Sequence, residues 1–268
     1  MSIYDRPMVL VPDKERHRVR NLFDTEQVGL VLDAVIAGNA PAWVWADDLA
    51  APRTALAWDG AHSVYLAGAV DRPDVWRELF ERDIARAVRG FLKAYVAGDA
   101  APTVFSGYPL LWRERILYSR PHSPIPSWRQ LVPTGFGIDE INDRFAGLSL
   151  LGNFADVIAE IESTWKSVDD FRRAGFGFVA HDARTIVCWC TAEYVSERRC
   201  GIGIETVPSY QGRGFATVTA SAFVEHCVHR GMTPYWDAWT SNLPSIAVAE
   251  KTGFGKVEAY SILAGDMT

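Results

Sequence analysis

The sequence predicts an α/β protein: a mixed sheet with flanking helices in the second half, preceded by a smaller α/β N-terminal domain. Three observations predict this. Strand-like apolar segments alternate with amphipathic helical stretches in both halves. Pro121, Pro124 and Pro126 crowd the stretch from Ser119 to Ser127, where missing backbone donors and restricted neighbours exclude both a helix and a central strand. That stretch divides the chain into domains 1–127 and 128–268. Finally, a strand near 201–207 runs through a glycine-rich loop directly into a helix.

Composition narrows the function. The 268 residues carry 27 basic and 33 acidic side chains, a formal net charge of −6. That balance argues against a partner made of nucleic acid or an anionic membrane, which calls for a positive field. Hydrophobic residues make up 49% and charged residues 22%, the balance of a globular chain rather than a disordered one. No apolar run approaches a membrane span, and the N-terminal stretch has only Met8–Val11 in place of a signal core. The four cysteines, Cys188, Cys190, Cys200 and Cys227, form no CxxC pair; buried packing suits them, and a reducing cytoplasmic setting is expected.

In the first half, Lys14, Arg16, His17, Arg18 and Arg20 form a basic cluster. A nucleic-acid patch and a solvated helix face are both readings of it, and the net charge favours the second. A helix is expected over Thr25–Ala37, ended by Gly38 and Asn39. Antiparallel strands are expected at Ala42–Ala46, Arg53–Trp58 and Ser63–Ala67. Pro73 suits a first helical turn, and Trp76, Phe80, Ile84, Ala87, Phe91 and Tyr95 recur on one face. These predict one long helix closed by Gly98 and Asp99. No phosphate loop or metal cluster occurs in this half, so its role is structural or substrate-shaping.

The second half opens with an expected strand at Gln130–Pro133 and two helices, the second marked by Phe154, Val157, Ile158, Ile161 and Trp165. Ser167 caps a further short helix that ends at Gly175. Strands are expected at Phe176–Ala180, Thr185–Tyr194 and Gly201–Val207. A helix over Thr217–Arg230 ends at Gly231. A strand at Pro234–Trp239, a helix at Ser245–Thr252 and a strand at Gly255–Leu263 follow.

The chemistry concentrates in Gln211-Gly212-Arg213-Gly214-Phe215-Ala216. Small residues let the backbone approach a ligand, and the first helical amides carry no internal partner at the positive end of the helix dipole. That arrangement suits a pyrophosphate. It lacks the Gly-Lys-[Ser/Thr] of a Walker loop and the spacing of a dinucleotide fingerprint. Gln211, Gly214 and Ala216 instead match [Gln/Arg]-x-x-Gly-x-[Gly/Ala], the coenzyme A loop of the GCN5-related N-acetyltransferase (GNAT) superfamily, which the chain resembles over about residues 130–264. Asn242-Leu243-Pro244-Ser245 and Ala249-Glu250-Lys251-Thr252-Gly253-Phe254 continue the resemblance in order. Gly203-Ile204-Glu205-Thr206 with Pro234-Tyr235-Trp236-Asp237 resemble the branch that includes the zwittermicin A resistance acetyltransferase, whose members carry an N-terminal α/β extension.

The resemblance implies a GNAT fold: a mostly antiparallel sheet with helices on its faces and central strands that splay to admit the pantetheine arm. It also makes the first half readable as a degenerate copy of that fold. It implies acetyl-CoA as cosubstrate, no metal, and direct transfer of an acetyl group to a primary amine of a small molecule. Val207, Gln211, Gly212, Arg213, Gly214, Phe215, Ala216, Asn242 and Ser245 would hold the cofactor, with Arg213 offering charge to phosphate. A lysine-like amine must lose a proton at neutral pH, at a cost of about 4.6 kcal/mol, whereas an α-amine loses one for about 1 kcal/mol. A base therefore matters, and Asp237 and Glu205 are the carboxylates at the expected place. Each has the alternative of pairing with a basic neighbour or capping a turn.

The family's usual tyrosine donor to the leaving thiolate is matched here by Ala249. Tyr260 and Tyr210 are substitutes, and solvent is a further one. Strand period puts Tyr235, Asp237 and Trp239 on one face, as an aromatic-walled acceptor pocket would require. His226 and His229, three apart on a helix, lack a carboxylate at metal-ligand spacing. The alternative function is an inactive GNAT-fold module that binds coenzyme A as a sensor or scaffold. Use of aminoacyl-tRNA is disfavoured by the acidic charge and the retained loop. A homodimer is compatible with the resemblance.

Overall fold

Residues 8–97, 101–120 and 127–267 are described in the computed structural model, and the chain divides into two units. The first comprises Met1–Arg115 and Tyr260–Thr268, the second Ile116–Ala259. The division thus falls ahead of the proline-rich stretch, and residues near the C-terminus join the first unit. Both boundaries fall within strands: β6 (Leu111–Ser119) and β12 (Gly255–Asp266). Pro121, Pro124 and Pro126 lie outside the described residues, as do Gly98 and Asp99.

In the first unit, β1 (Val9–Leu10), β2 (Trp43–Ala46), β3 (Thr54–Trp58) and β4 (Ser63–Gly68) pair antiparallel in sequence. Strand β5 (Phe91–Val96) then pairs parallel to β4, and Leu263–Asp266 of β12 pair antiparallel with β5. Helix α1 (Glu26–Ile36) falls where the periodicity predicts it. The basic cluster lies on a 3₁₀ stretch, Asp13–Leu22, and it is not simply a solvated face. Arg16 is buried and donates to the Ala42 carbonyl at 2.7 Å, while Arg20 pairs with Asp33.

The long helix expected from Pro73 to Tyr95 is shorter. Helix α2 spans Pro73–Leu79 and passes into a π-helical turn, Phe80–Ile84, in which the Ala85 amide bonds the Phe80 carbonyl at 2.8 Å. Trp76, Phe80 and Ile84 do share the buried face. Beyond them the chain reverses at Gly90 (φ 80°), and Phe91 and Tyr95 belong to β5. Their four-residue spacing also satisfies a two-residue period, and the ladder with β4 decides between the two. A one-turn helix, α3 (Ala101–Val104), precedes β6.

The second unit repeats the scheme. Strands β7 (Gly137–Glu140), β8 (Gly177–His181), β9 (Ile186–Glu193) and β10 (Arg199–Thr206) pair antiparallel in sequence. Strand β11 (Thr233–Trp239) pairs parallel to β10 through the crossover helix α7 (Phe215–Arg230), and β6 flanks β11. The mixed, mostly antiparallel sheet with flanking helices is therefore the one the sequence predicts. The strand expected at Gln130–Pro133 is instead a 3₁₀ turn, Arg129–Leu131. Arg129 grips Glu225 of α7 with two hydrogen bonds (2.9 and 2.6 Å) and stacks on Trp128, so this segment is tied to a helix face before the ladder starts at Gly137.

Helices α4 (Ile141–Leu148), α5 (Phe154–Thr164) and α6 (Val168–Ala174) cover one region of the sheet. The Ser167 hydroxyl accepts the Asp170 amide at 3.1 Å, as a cap should. Ile141, Val157, Ile161 and Phe171 are fully buried against Val179, Ile186 and Phe223. All four cysteines are buried, and burial raises the Cys188 thiol to about 11.

Candidate active site

Strand β10 stays in register with β9 through Thr206 opposite Cys188, but its parallel pairing with β11 runs only from Arg199↔Thr233 to Gly201↔Tyr235. Beyond that point the two strands part. Helix α8 (Leu243–Lys251) is anchored beside the opening. The Asn242 side chain accepts the Ser245 amide at 3.2 Å to cap it, and the Trp236 indole N–H donates to the Ser245 hydroxyl at 2.9 Å. Ala249, fully buried with Trp236, Ala238 and Phe254, seats the helix.

From the end of β10 the chain makes a 3₁₀ turn, Pro208–Tyr210, and the Gln211 amide side chain folds back to donate to the Thr206 carbonyl at 3.1 Å. Gly212 (φ 71°) and Gly214 (φ 88°) are left-handed, and space where their side chains would stand is empty out to 4 Å. Helix α7 begins there with no side-chain cap, and the Val218 amide, bonded to the Gly214 carbonyl at 3.2 Å, is the first with a helical partner. The amides before it remain available to an anion. The loop, the parted strands and α8 enclose an open cleft of about 1240 Å³.

Most residues expected at the cofactor line this cleft: Gln211, Gly212, Gly214, Phe215, Ala216, Asn242 and Ser245, with Glu205 and Tyr210. Arg213 sits over the rings of Tyr210 (5.1 Å), Phe215 (5.3 Å) and Phe136 (5.7 Å). Among the lining residues that the sequence reading did not assign to the site are Thr217, Trp236, Val248 and Lys251. Lys251 was in sight within the Glu-Lys-Thr-Gly-Phe segment, and no carboxylate is in ion-pair reach of it among the described residues.

A second cleft, about 830 Å³ and also open, is lined by Glu205 and Val207 together with Asn153, Asp156 and Glu160 of the α5 region and Trp189 of β9. Glu205 lines both clefts. The amphipathic reading of 154–165 followed its apolar face and passed over the polar one that carries Asp156 and Glu160.

Asp237, half-buried on β11, lines neither cleft; its neighbour Trp236 is the β11 residue at the first. Tyr260 belongs to the first unit, where it approaches Tyr95 (6.2 Å between ring centres) and lines a cavity with Phe23 and Leu66. His226 stacks on Phe176 at 4.5 Å, and burial, with Arg230 and His229 nearby, lowers it to about 4. Among the described residues no cluster of three or more His, Cys, Asp or Glu is placed to hold a metal ion.

The model of the GNAT acetyltransferase family matches residues 112–263, more than half of the sequence. The chain belongs to the GNAT acetyltransferase family. A curated relative, the "uncharacterized N-acetyltransferase YdfB" of Bacillus subtilis (strain 168), is 26% identical over 262 residues, covering 93% of this chain and 95% of YdfB. Among solved structures, a GCN5-related N-acetyltransferase-like protein of Streptococcus suis has a TM-score of 0.69 at 21% identity, covering 94% of this chain and 98% of the other. A tandem GNAT protein from the clavulanic acid biosynthesis pathway has a TM-score of 0.57 at 13% identity, covering 97% and 99%. These two show the shared fold.

This GNAT protein is thus an N-acetyltransferase, of a family that uses acetyl-CoA as cosubstrate. The residues present fit that molecule: free loop amides, empty space over two left-handed glycines, and the Arg213 and Lys251 cations at or beside the cleft. No helix among the described residues is long and apolar enough to cross a membrane.

Proposed function

We propose that the second unit transfers an acetyl group directly from acetyl-CoA to a primary amine of a small molecule, with cofactor and acceptor meeting at Glu205. The observation that carries this is the position of Glu205 at the end of β10, on the margin of both clefts. Acetyl-CoA, when bound, supplies the thioester carbonyl. The loop amides from Gly212 to Thr217 hold its pyrophosphate, with Arg213 and Lys251 adding positive charge. Glu205 takes the proton of the attacking amine, directly or through one water. Asp237, set off both clefts, has no direct part in this reading. Ala249 is packed into the core, so solvent returns the proton to the departing thiolate.

The same reading treats the first unit as a degenerate copy. Its strands and crossover helix follow the scheme of the second unit, yet β4 enters α2 through Ala69-Val70-Asp71-Arg72 without a glycine cradle. The Gly203–Thr206 and Pro234–Asp237 segments both contribute cleft residues, which supports the zwittermicin-resistance branch.

The test is thermal unfolding with acetyl-CoA, free coenzyme A, ATP and NAD. A ligand at a hundred times its Kd adds about 2.7 kcal/mol, which for units of this size raises Tm by roughly 5 °C or more. Stabilisation by acetyl-CoA and coenzyme A alone is expected; none by either refutes the assignment.

A further inference from the structure

We infer that Trp236 sets the length of the acyl group that the first cleft admits, closing it to long-chain thioesters; the inference rests on the acetyl-transfer reading of that cleft. The cleft has two unlike ends. At one stand the loop amides ahead of Val218, suited to a pyrophosphate. At the other it is lined by Ile204, Trp236 and Val248, which pack together in one apolar cluster. Ile204 lies two residues back along β10 from Thr206, whose carbonyl holds the Gln211 side chain. The apolar end is therefore set back from the loop by roughly 7 Å of strand. A cofactor with its pyrophosphate on the loop brings its thioester to this end.

Trp236 is the wall there. It follows directly on the last pair between β10 and β11, Gly201 with Tyr235, so it stands where the strands part. Its side chain lines the cleft yet is only 2% exposed, because neighbours hold it from behind. Phe254 meets the ring edge-on, 5.5 Å between centres and at 71°. The indole N–H donates to the Ser245 hydroxyl at 2.9 Å, and the Ser245 amide is itself held by the Asn242 side chain at 3.2 Å.

A tryptophan side chain turns about two bonds, and these contacts restrain both. Swinging the ring aside would break a buried hydrogen bond and leave the indole donor without a partner. It would also press the ring into a cluster that already holds Ala238, Ala249 and Phe254. An acetyl group places one methyl beyond the carbonyl, whereas each further methylene has to displace this wall.

The test is calorimetric titration of the protein alone with free coenzyme A, acetyl-CoA, propionyl-CoA and hexanoyl-CoA. Each Kd is taken relative to free coenzyme A, so that losses common to all four cancel. In the wild type, acetyl-CoA is expected to bind at least as tightly as free coenzyme A, and hexanoyl-CoA more weakly by about tenfold or more. Trp236→Leu should remove most of that penalty. Ser245→Ala keeps the ring, frees it to turn and should reduce the penalty severalfold; it decides the matter where Trp236→Leu does not fold by circular dichroism. Equal binding of all the acyl thioesters to the wild type overturns this inference and spares the transfer reading, as does a penalty that both folded variants retain. Absence of binding by coenzyme A and acetyl-CoA alike sinks the transfer reading, and this inference with it.

Discussion

Glu205 stands where a strand that is otherwise inward-looking meets two clefts, and its replacement separates binding from chemistry. Glu205→Gln keeps the shape and removes the proposed base. Its kcat/KM should fall by about 10²- to 10⁴-fold, while acetyl-CoA raises Tm as it does in the wild type; steady-state kinetics beside thermal unfolding check this. Equal losses of both would mean that Glu205 holds the fold or the cofactor rather than the proton. Residues of this kind differ in how readable they are. Gln211, Gly214 and Ala216 are legible because a left-handed turn and a close backbone approach demand local residue types at fixed spacing. Trp236 and Asp237 are not. Strand period places them on opposite faces, but which face meets the cleft depends on where β10 and β11 stop pairing and on α8.

The start of α7 is an element in which conformation and charge act together. Gly214→Asp forces a side chain into a left-handed position (φ 88°) and sets a carboxylate against the proposed phosphate site. We expect the acetyl-CoA-induced rise in Tm to vanish, with the ligand-free Tm recorded alongside to separate strain from lost binding. The far end of α7 makes a pH prediction. His226 titrates near 4 when folded and near 6.5 when unfolded, so between those values the unfolded chain binds the extra proton. Stability should therefore fall as pH drops from about 6.5 towards 4. Glu140, 3.6 Å from His226, is raised by burial and by Asp143 and acts in the opposite sense, losing stability as pH rises past the ordinary carboxylate range. His226→Phe keeps the ring on Phe176 and should flatten the decline of Tm over pH 6.5 to 4. Elements with one period were legible from sequence, α1, α5 and α7 among them. The stretch from Pro73 to Tyr95 was not, because Phe91 and Tyr95 fit a helix and a strand equally until β4 supplies a partner.

Across the whole chain, one order of connections occurs twice: three antiparallel steps, a helix, then a parallel step. The closing strand segment of the first unit is the exception to locality, since Leu263–Asp266 complete the ladder on β5. A fragment ending at Arg115 leaves the β5 edge without those hydrogen bonds and Leu92 and Ala94 without Leu263 beside them. It should be poorly soluble, and a synthetic peptide of residues 260–267 added in trans should restore cooperative unfolding; a fragment that folds alone would contradict this. No sequence pattern shows such an arrangement, because the final strand reads like any other amphipathic segment.

That distant strand also orders events on the ribosome. Residues 260–266 emerge only after every residue of the second unit, so the first-made unit is completed last. Until then β5 waits with an open edge, and the nascent chain has to be shielded through the whole synthesis of the second unit.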